Sequence, residues 1–267
     1  PTRGVAQGFG SSIMHSTSFP FTEAVLPFSI YDFPFLEHVR RFVLGERHSV
    51  TGTPLEALHG VPKFRNRCAA KDEHNPYATL VHDKGFQDTY HNFIKDFVRP
   101  HLGEEYVLYE KSPNLRIHLA GAPFLTAPHI DSDHKHSRKE VNFWIPLTRA
   151  SGSATLWTES SPGCGDFHPL VAEYGQAVRF YGNSCLHFSR DNGESFTRVS
   201  FDCRCVRFSD FPDSSIPLKG KQRGGARHVL FGYYGVMGPE GEVLQAEWET
   251  VLAQAGAAKT VPARPAA

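Results

Sequence analysis

From Val107 onward the chain is cut into short segments whose apolar residues recur at period two, and this rhythm restricts the fold more than any other feature. The segments are 107–110, 115–119, 141–147, 154–158, 177–181, 186–188 and 198–206, separated by Gly, Pro, Asn and Ser. Many short strands at modest spacing predict a sandwich or barrel. Upstream the period changes. Leu36, Val39, Phe42 and Val43 recur at helical spacing over 35–44, and Phe86, Tyr90, Phe93, Ile94, Phe97 and Val98 do so in a run expected to stop before Pro100. Between these helices, 46–82 reads as a loop with Pro54, Pro62 and Pro76 and a basic cluster at Lys63, Arg65 and Arg67, a length that suits a cover over a site. Residues 1–25 read as an irregular lead-in. A segment at 229–236 with 242–245 reads as a return to a sheet edge, and 255–267 as a disordered tail. The chain therefore reads as helices packed outside a β core, mainly β overall.

Composition narrows the function classes. Lys plus Arg and Asp plus Glu number 28 each, so the net charge is zero and a duplex nucleic-acid partner is not expected. Hydrophobic residues make up 40%, with 21 Phe, enough for a sizeable core. No apolar run reaches membrane-spanning length, and no signal peptide is read at the start. The five cysteines are too few and too scattered for a disulfide framework, so they are read as reduced thiols of a cytoplasmic protein.

The strand faces carry the functional signal. In 115–119, Leu115, Ile117 and Leu119 face one way, Arg116 and His118 the other. In 141–147 the apolar face is Val141, Phe143, Ile145 and Leu147, opposite Asn142 and Trp144. In 198–206, Val199, Phe201, Cys203 and Cys205 oppose Arg198, Ser200, Asp202 and Arg204. Such polar faces are either solvated or line a cavity between two sheets.

His129 and Asp131 stand two apart in an extended segment, and His187 follows far downstream. Two imidazoles and one carboxylate form the facial triad of non-haem Fe(II) sites, which leaves three positions open for a cosubstrate and dioxygen. Arg198 and Ser200 lie on one face of a strand, where a guanidinium fork and a hydroxyl can hold one carboxylate. A dicarboxylic 2-oxo acid, 2-oxoglutarate, could chelate iron at one end and be anchored there at the other. Asp133, His134 and His136 are rival ligands on a polar stretch that otherwise reads as a solvated connection. Cys185 and His187 lack the second pair that a zinc finger requires.

The set His129-x-Asp131, His187 and Arg198-x-Ser200 resembles the Fe(II)/2-oxoglutarate-dependent dioxygenases on a double-stranded β-helix. The stretches 140–148, 156–159 and 182–187 resemble a subgroup near streptomycin-biosynthesis oxygenases and phytanoyl-CoA-hydroxylase-like enzymes. The resemblance implies a jelly-roll, cupin-like core over 106–208 within one domain spanning 1–267. A helical part with a lid-like loop would fill 1–105, and a C-terminal extension 209–254. It implies Fe(II), 2-oxoglutarate and dioxygen as cofactors, with His129, Asp131 and His187 as metal ligands and Arg198, Ser200, Asn142 and Trp144 about the cosubstrate. Asp131 at the carboxylate position favours hydroxylation over halogenation. Arg116, His118, Trp157, Glu159 and Arg204 are the expected substrate contacts, and the expected substrate is a small polar metabolite of specialised biosynthesis. Ring closure, desaturation, action on a protein partner and metal binding without turnover remain open alternatives.

Overall fold

The computed structural model describes residues 23–45, 52–65, 80, 82–216, 230 and 232–244. Two antiparallel sheets form the core. The larger runs β1 (Ala24–Pro27), β7 (Gln176–Phe180), β4 (Glu140–Pro146), β9 (Arg198–Arg207), β2 (Val107–Glu110), β10 (Tyr234–Met237), β11 (Val243–Leu244), with β3 (Asn114–His118) also paired on β9. The smaller runs β6 (His168–Pro169), β5 (Leu156–Thr158), β8 (His187–Ser189), and a bridge between His129 and His187 adds the 129 segment to its edge. Following the chain, β3 lies in the large sheet, the 129 segment in the small, β4 in the large, β5 and β6 in the small, β7 in the large, β8 in the small and β9 in the large. That alternation is a double-stranded β-helix, the jelly roll expected from the sequence.

The faces sort as the alternation requires. Val141, Phe143, Ile145 and Leu147 of the β4 stretch join Val199, Phe201, Cys203 and Cys205 of β9 in one buried cluster. Helices α1 (Phe35–Leu44) and α2 (Lys84–Phe93) cover it. Phe35, Val39 and Val43 of α1 and Phe86, Tyr90 and Phe93 of α2 are buried in the same cluster. Phe201 is the hub, with ring centroids 4.8 Å from Phe35 and 5.8 Å from Phe86, both edge-on. Burying each such ring contributes roughly 1.5–3 kcal/mol. Asp83 starts α2, its carboxylate accepting from the Phe86 N–H at 2.8 Å.

Several expectations are corrected. The second helix does not stop before Pro100: a wide turn over Ile94–Val98 leads into a further turn, Arg99–Leu102, ended by Gly103 at φ 68°. Pro100 lies just past the wide turn, where the Lys95 carbonyl accepts from Arg99 Nε at 3.3 Å. Part of the irregular lead-in is strand, since Ala24–Pro27 pairs with β7 at the sheet edge, where Pro27 is tolerated. The described part of the expected loop is not free. Leu55–Gly60 and Pro62–Arg65 form helical turns whose Leu55, Leu58 and Phe64 are buried in the main cluster. The Thr197 N–H donates to the Glu56 carbonyl at 2.8 Å, tying this segment to the chain just before β9. Lys63 of the basic cluster donates to the Val43 carbonyl, while Arg67 and the Arg65 side chain lie outside the described residues. So do Cys68 and the expected tail at 255–267. Cys164, Cys185, Cys203 and Cys205 are free thiols. No helix among the described residues is long and apolar enough to cross a membrane.

Candidate metal centre

The 129 segment and β8 exchange backbone hydrogen bonds, His129 N–H to the His187 carbonyl at 3.2 Å and His187 N–H to the His129 carbonyl at 3.0 Å. This reciprocal pair places two histidines from distant parts of the chain side by side, ring centroids 4.3 Å apart. Asp131 follows where the strand path ends in a short turn, Asp131–His134, and its N–H is fixed on the Gly182 carbonyl at 2.9 Å. Asp131 Oδ1 lies 3.5 Å from His129 Nε2 and 3.8 Å from His187 Nε2. One donor atom from each of the three residues lies within 4.8 Å of the others.

The ring chemistry suits a metal. His129 Nδ1 faces the Ala127 carbonyl at 2.9 Å and His187 Nδ1 faces the Cys185 carbonyl at 3.1 Å. A carbonyl can only accept, so each Nδ1 carries a proton and each Nε2 is the ring nitrogen turned toward a cation. Burial, opposed by Asp131, pulls His187 down to about 4, which keeps it neutral at pH 7. Burial also lowers His129, but its hydrogen bond with Asp131 outweighs that and raises it. For Asp131, burial favours the neutral acid, yet the His129 hydrogen bond and the Arg204 guanidinium prevail and hold the carboxyl well below its usual range. A cation that displaces the proton shared by His129 Nε2 and Asp131 would meet an ionised carboxylate and two imidazole lone pairs, a donor set that fits Fe(II).

A cleft of about 420 Å³ opens beside these atoms. Arg198 and Trp144 line it, and Arg198 Nη1 donates to Ser200 Oγ at 2.7 Å. The Arg198 side chain is fully buried, its Nε has no partner among the described residues, and the Trp144 ring lies 5.6 Å from its guanidinium carbon. No carboxylate pairs with it among the described residues. Burial, aided by the Arg116 charge, pulls it down to about 10. A buried guanidinium in this condition calls for an anion. The indole N–H of Trp144 is likewise unpartnered among the described residues.

The structure gathers His129, His187, Asn142, Trp144, Arg198, Arg116 and Arg204 about one cleft, with Asp131 beside the two histidines. It separates others. Trp157 follows Leu156 on β5, so it points to the opposite side of the small sheet from the cleft-lining Leu156, and the Arg190 guanidinium sits 3.5 Å from its ring centroid. Glu159 also lies away from the cleft. Its carboxylate accepts from the backbone N–H groups of Gly163, Gly165 and Leu186 and so organises a loop. His118 is buried across from Arg198 on β3 with Nε2 donating to the Pro123 carbonyl at 3.0 Å, and it does not line the cleft. Arg204 lines the cleft but is engaged: it donates twice to Asp131 and once to Glu110. Asn142 lines the cleft, and its Nδ2 donates to Asp131 Oδ2 at 2.8 Å. Arg116 alone of the expected substrate contacts is cleft-lining and half-exposed, with Asp202 3.6 Å away. Among the rival ligands, Asp133 and His134 are exposed and His136 is paired with Glu140 at 3.2 Å.

Sequence reasoning missed the layer behind Asp131. Glu110 holds the Arg204 side chain and backbone N–H, each at 3.2 Å, and Tyr234 donates to Glu140. Burial pushes Glu110 up to about 7 against the pull of Arg204. A charged residue ending an otherwise apolar strand at Glu110, and another starting the wholly buried β4 at Glu140, were the available signals.

The fold is a double-stranded β-helix, and His129, Asp131 and His187 bring together three donor atoms that could hold a metal ion. No protein-family model matches the chain. Streptomycin biosynthesis protein StrG from Streptomyces griseus is 31% identical over 188 residues, covering 70% of this chain and 85% of that protein. The chain belongs to the StrG family. Among solved structures, the non-heme monooxygenase ThoJ in complex with Ni is 17% identical with a TM-score of 0.40, covering 75% of this chain and 78% of that one. CytC3 with Fe(II) and alpha-ketoglutarate is 14% identical with a TM-score of 0.39, covering 70% and 74%. The apoform of EctD from S. alaskensis is 14% identical with a TM-score of 0.46, covering 70% and 74%. These overlaps are loose, and the fold stands on the strand pairing described above.

Proposed function

We propose that the protein is a non-haem Fe(II)/2-oxoglutarate-dependent dioxygenase that hydroxylates an unactivated C–H bond of a small polar metabolite, with release of succinate and carbon dioxide. One observation carries the reading: three convergent donor atoms adjoin a buried Arg198 that has a hydroxyl partner and no carboxylate. His129, Asp131 and His187 would hold the iron, which supplies dioxygen activation coupled to decarboxylation of the 2-oxo acid. The remaining work falls to the chain. Arg198 and Ser200 bind the distal carboxylate of 2-oxoglutarate through charge-assisted hydrogen bonds. Trp144 walls the cosubstrate, and Leu156 and Phe180 keep water from that part of the cleft. The carbonyls of Ala127 and Cys185 hold the two imidazoles in their ligating tautomers.

Arg116, Asp202 and Thr126 give the cleft lining polar character, which supports a polar substrate. That StrG is a streptomycin biosynthesis protein supports a substrate from specialised metabolism. In this reading the 106–208 jelly roll carries the chemistry within a single domain, the two helices Phe35–Leu44 and Lys84–Phe93 buttress its large sheet, and the free thiols suit a cytoplasmic setting.

The test is succinate formation from 2-oxoglutarate with Fe(II) and ascorbate under air, with and without candidate metabolites. Iron-dependent succinate, abolished in Asp131→Ala, is the expected result. Metal binding without any turnover across conditions and substrates would instead favour a metal-holding scaffold.

A further inference from the structure

The two oxygens of Asp131 are unequal. Oδ1 faces both histidine Nε2 atoms and accepts from Arg204 Nη2 at 3.1 Å. Oδ2 is turned away and accepts from Asn142 Nδ2 at 2.8 Å and from Arg204 Nε at 2.9 Å. The two donors of Arg204 thus grip the carboxylate as a fork, which fixes its plane as well as its place. Swinging Oδ2 toward the histidines would break the Asn142 bond and one Arg204 bond in a buried setting, where Asn142 Oδ1 already lacks a partner. Asn142 and Arg204 are directly opposite each other on the paired β4 and β9, so the grip is built on central strands rather than on a loop. Arg204 is itself braced by Glu110 at 3.2 Å and Asp202 at 3.4 Å.

We infer that Asn142 and Arg204 are positioning residues that restrict Asp131 to ligation through Oδ1 alone, and so keep three positions of a six-coordinate metal open. This rests on the metal-binding reading proposed above. A carboxylate free to turn can chelate with both oxygens and occupy a position that a 2-oxo acid or dioxygen needs. Neither residue has to touch the metal or the substrate for this to hold.

The experiment compares wild type, Asn142→Ala and Arg204→Lys, each loaded with Co(II) as an oxygen-stable probe. Crystal structures give the carboxylate mode, calorimetry gives Co(II) and 2-oxoglutarate affinities, and thermal unfolding shows that each protein is folded. In the wild type, Oδ1 binds the metal and Oδ2 stays on Asn142. Each variant loses roughly 10–100-fold in metal affinity, and at saturating Co(II) its Asp131 chelates through both oxygens while 2-oxoglutarate binding weakens. A purely structural role would lower the unfolding temperature and leave the carboxylate mode unchanged. Chelation by both oxygens in the wild type overturns the inference while leaving the metal site intact. So does a folded Asn142→Ala with a one-oxygen Asp131 and unchanged affinities, and that variant decides alone if Arg204→Lys does not fold. Failure of the wild type to bind Co(II) at this site removes the functional reading as well.

Discussion

Replacing Arg198 with Met separates cosubstrate binding from folding and from metal binding. The guanidinium is fully buried, and its ordinary value of 12.5 falls to about 10. At pH 7 both states are charged, so the difference is a cost of about 3 kcal/mol to the ligand-free fold, constant around neutrality. Met keeps most of the volume and removes the buried charge, so ligand-free Arg198→Met should unfold at or above the wild-type temperature. Truncating one side of a buried, hydrogen-bonded charge pair costs about 2–5 kcal/mol in binding. Taking about 3 kcal/mol, the 2-oxoglutarate dissociation constant should rise roughly 100-fold or more. The assay is calorimetric titration of 2-oxoglutarate into Mn(II)-loaded protein under nitrogen, alongside a Mn(II) titration of the metal-free variant. Metal affinity should stay within about twofold, since Arg198 bonds to Ser200 rather than to a triad residue. Cosubstrate affinity equal to wild type in a folded Arg198→Met would refute the assignment of the anchor.

Three more outcomes follow from the same geometry. His187→Ala should abolish stoichiometric binding of divalent metal in calorimetry while retaining the fold, because it removes one of three donors; full metal occupancy there would contradict the triad. Glu110→Gln should flatten the pH dependence of unfolding between about 4.5 and 7. In the wild type the folded state keeps the Glu110 proton above the pH at which the unfolded chain releases it, so stability falls by about 3 kcal/mol as pH rises through that window; denaturant melts of both proteins across pH 4–8 test this, and parallel curves would count against it. Phe201→Ala should cost about 3–5 kcal/mol in the same melts, as the ring joins both helices to β9; a loss below about 1 kcal/mol would mean the helices do not pack there.

What the sequence made legible followed from periodicity. The period-two faces of 141–147 and 198–206 separated the helix-covered core from the side of the sheet on which Asn142, Trp144, Arg198, Asp202 and Arg204 line the cleft, because one face had to be apolar. Helix α1 came out with its bounds intact, since its apolar stripe has one clear start and stop. The edge strand Ala24–Pro27 was hidden because four residues carry too little pattern and Pro27 argues against a strand. The passage of the helix across Pro100 depended on a wide turn that no residue type announces. At the site, residue types identified the charged groups but not their partners. Arg204 looked available to a substrate, and only three-dimensional pairing reveals that Asp131 and Glu110 already hold it. Trp157 and Glu159 were misplaced for a related reason: β5 spans Leu156–Thr158, too short for alternation to show which side faces inward.

The central claim is that two imidazoles and a carboxylate bind one iron while Arg198 seats the far end of a 2-oxo diacid. A crystal structure of the protein grown anaerobically with Fe(II) and 2-oxoglutarate tests this most directly. The account predicts iron bonded to His129 Nε2, Asp131 Oδ1 and His187 Nε2, with the distal carboxylate of 2-oxoglutarate hydrogen-bonded to Arg198 and Ser200. Iron held by other residues, or 2-oxoglutarate bound without contact to Arg198, would contradict it.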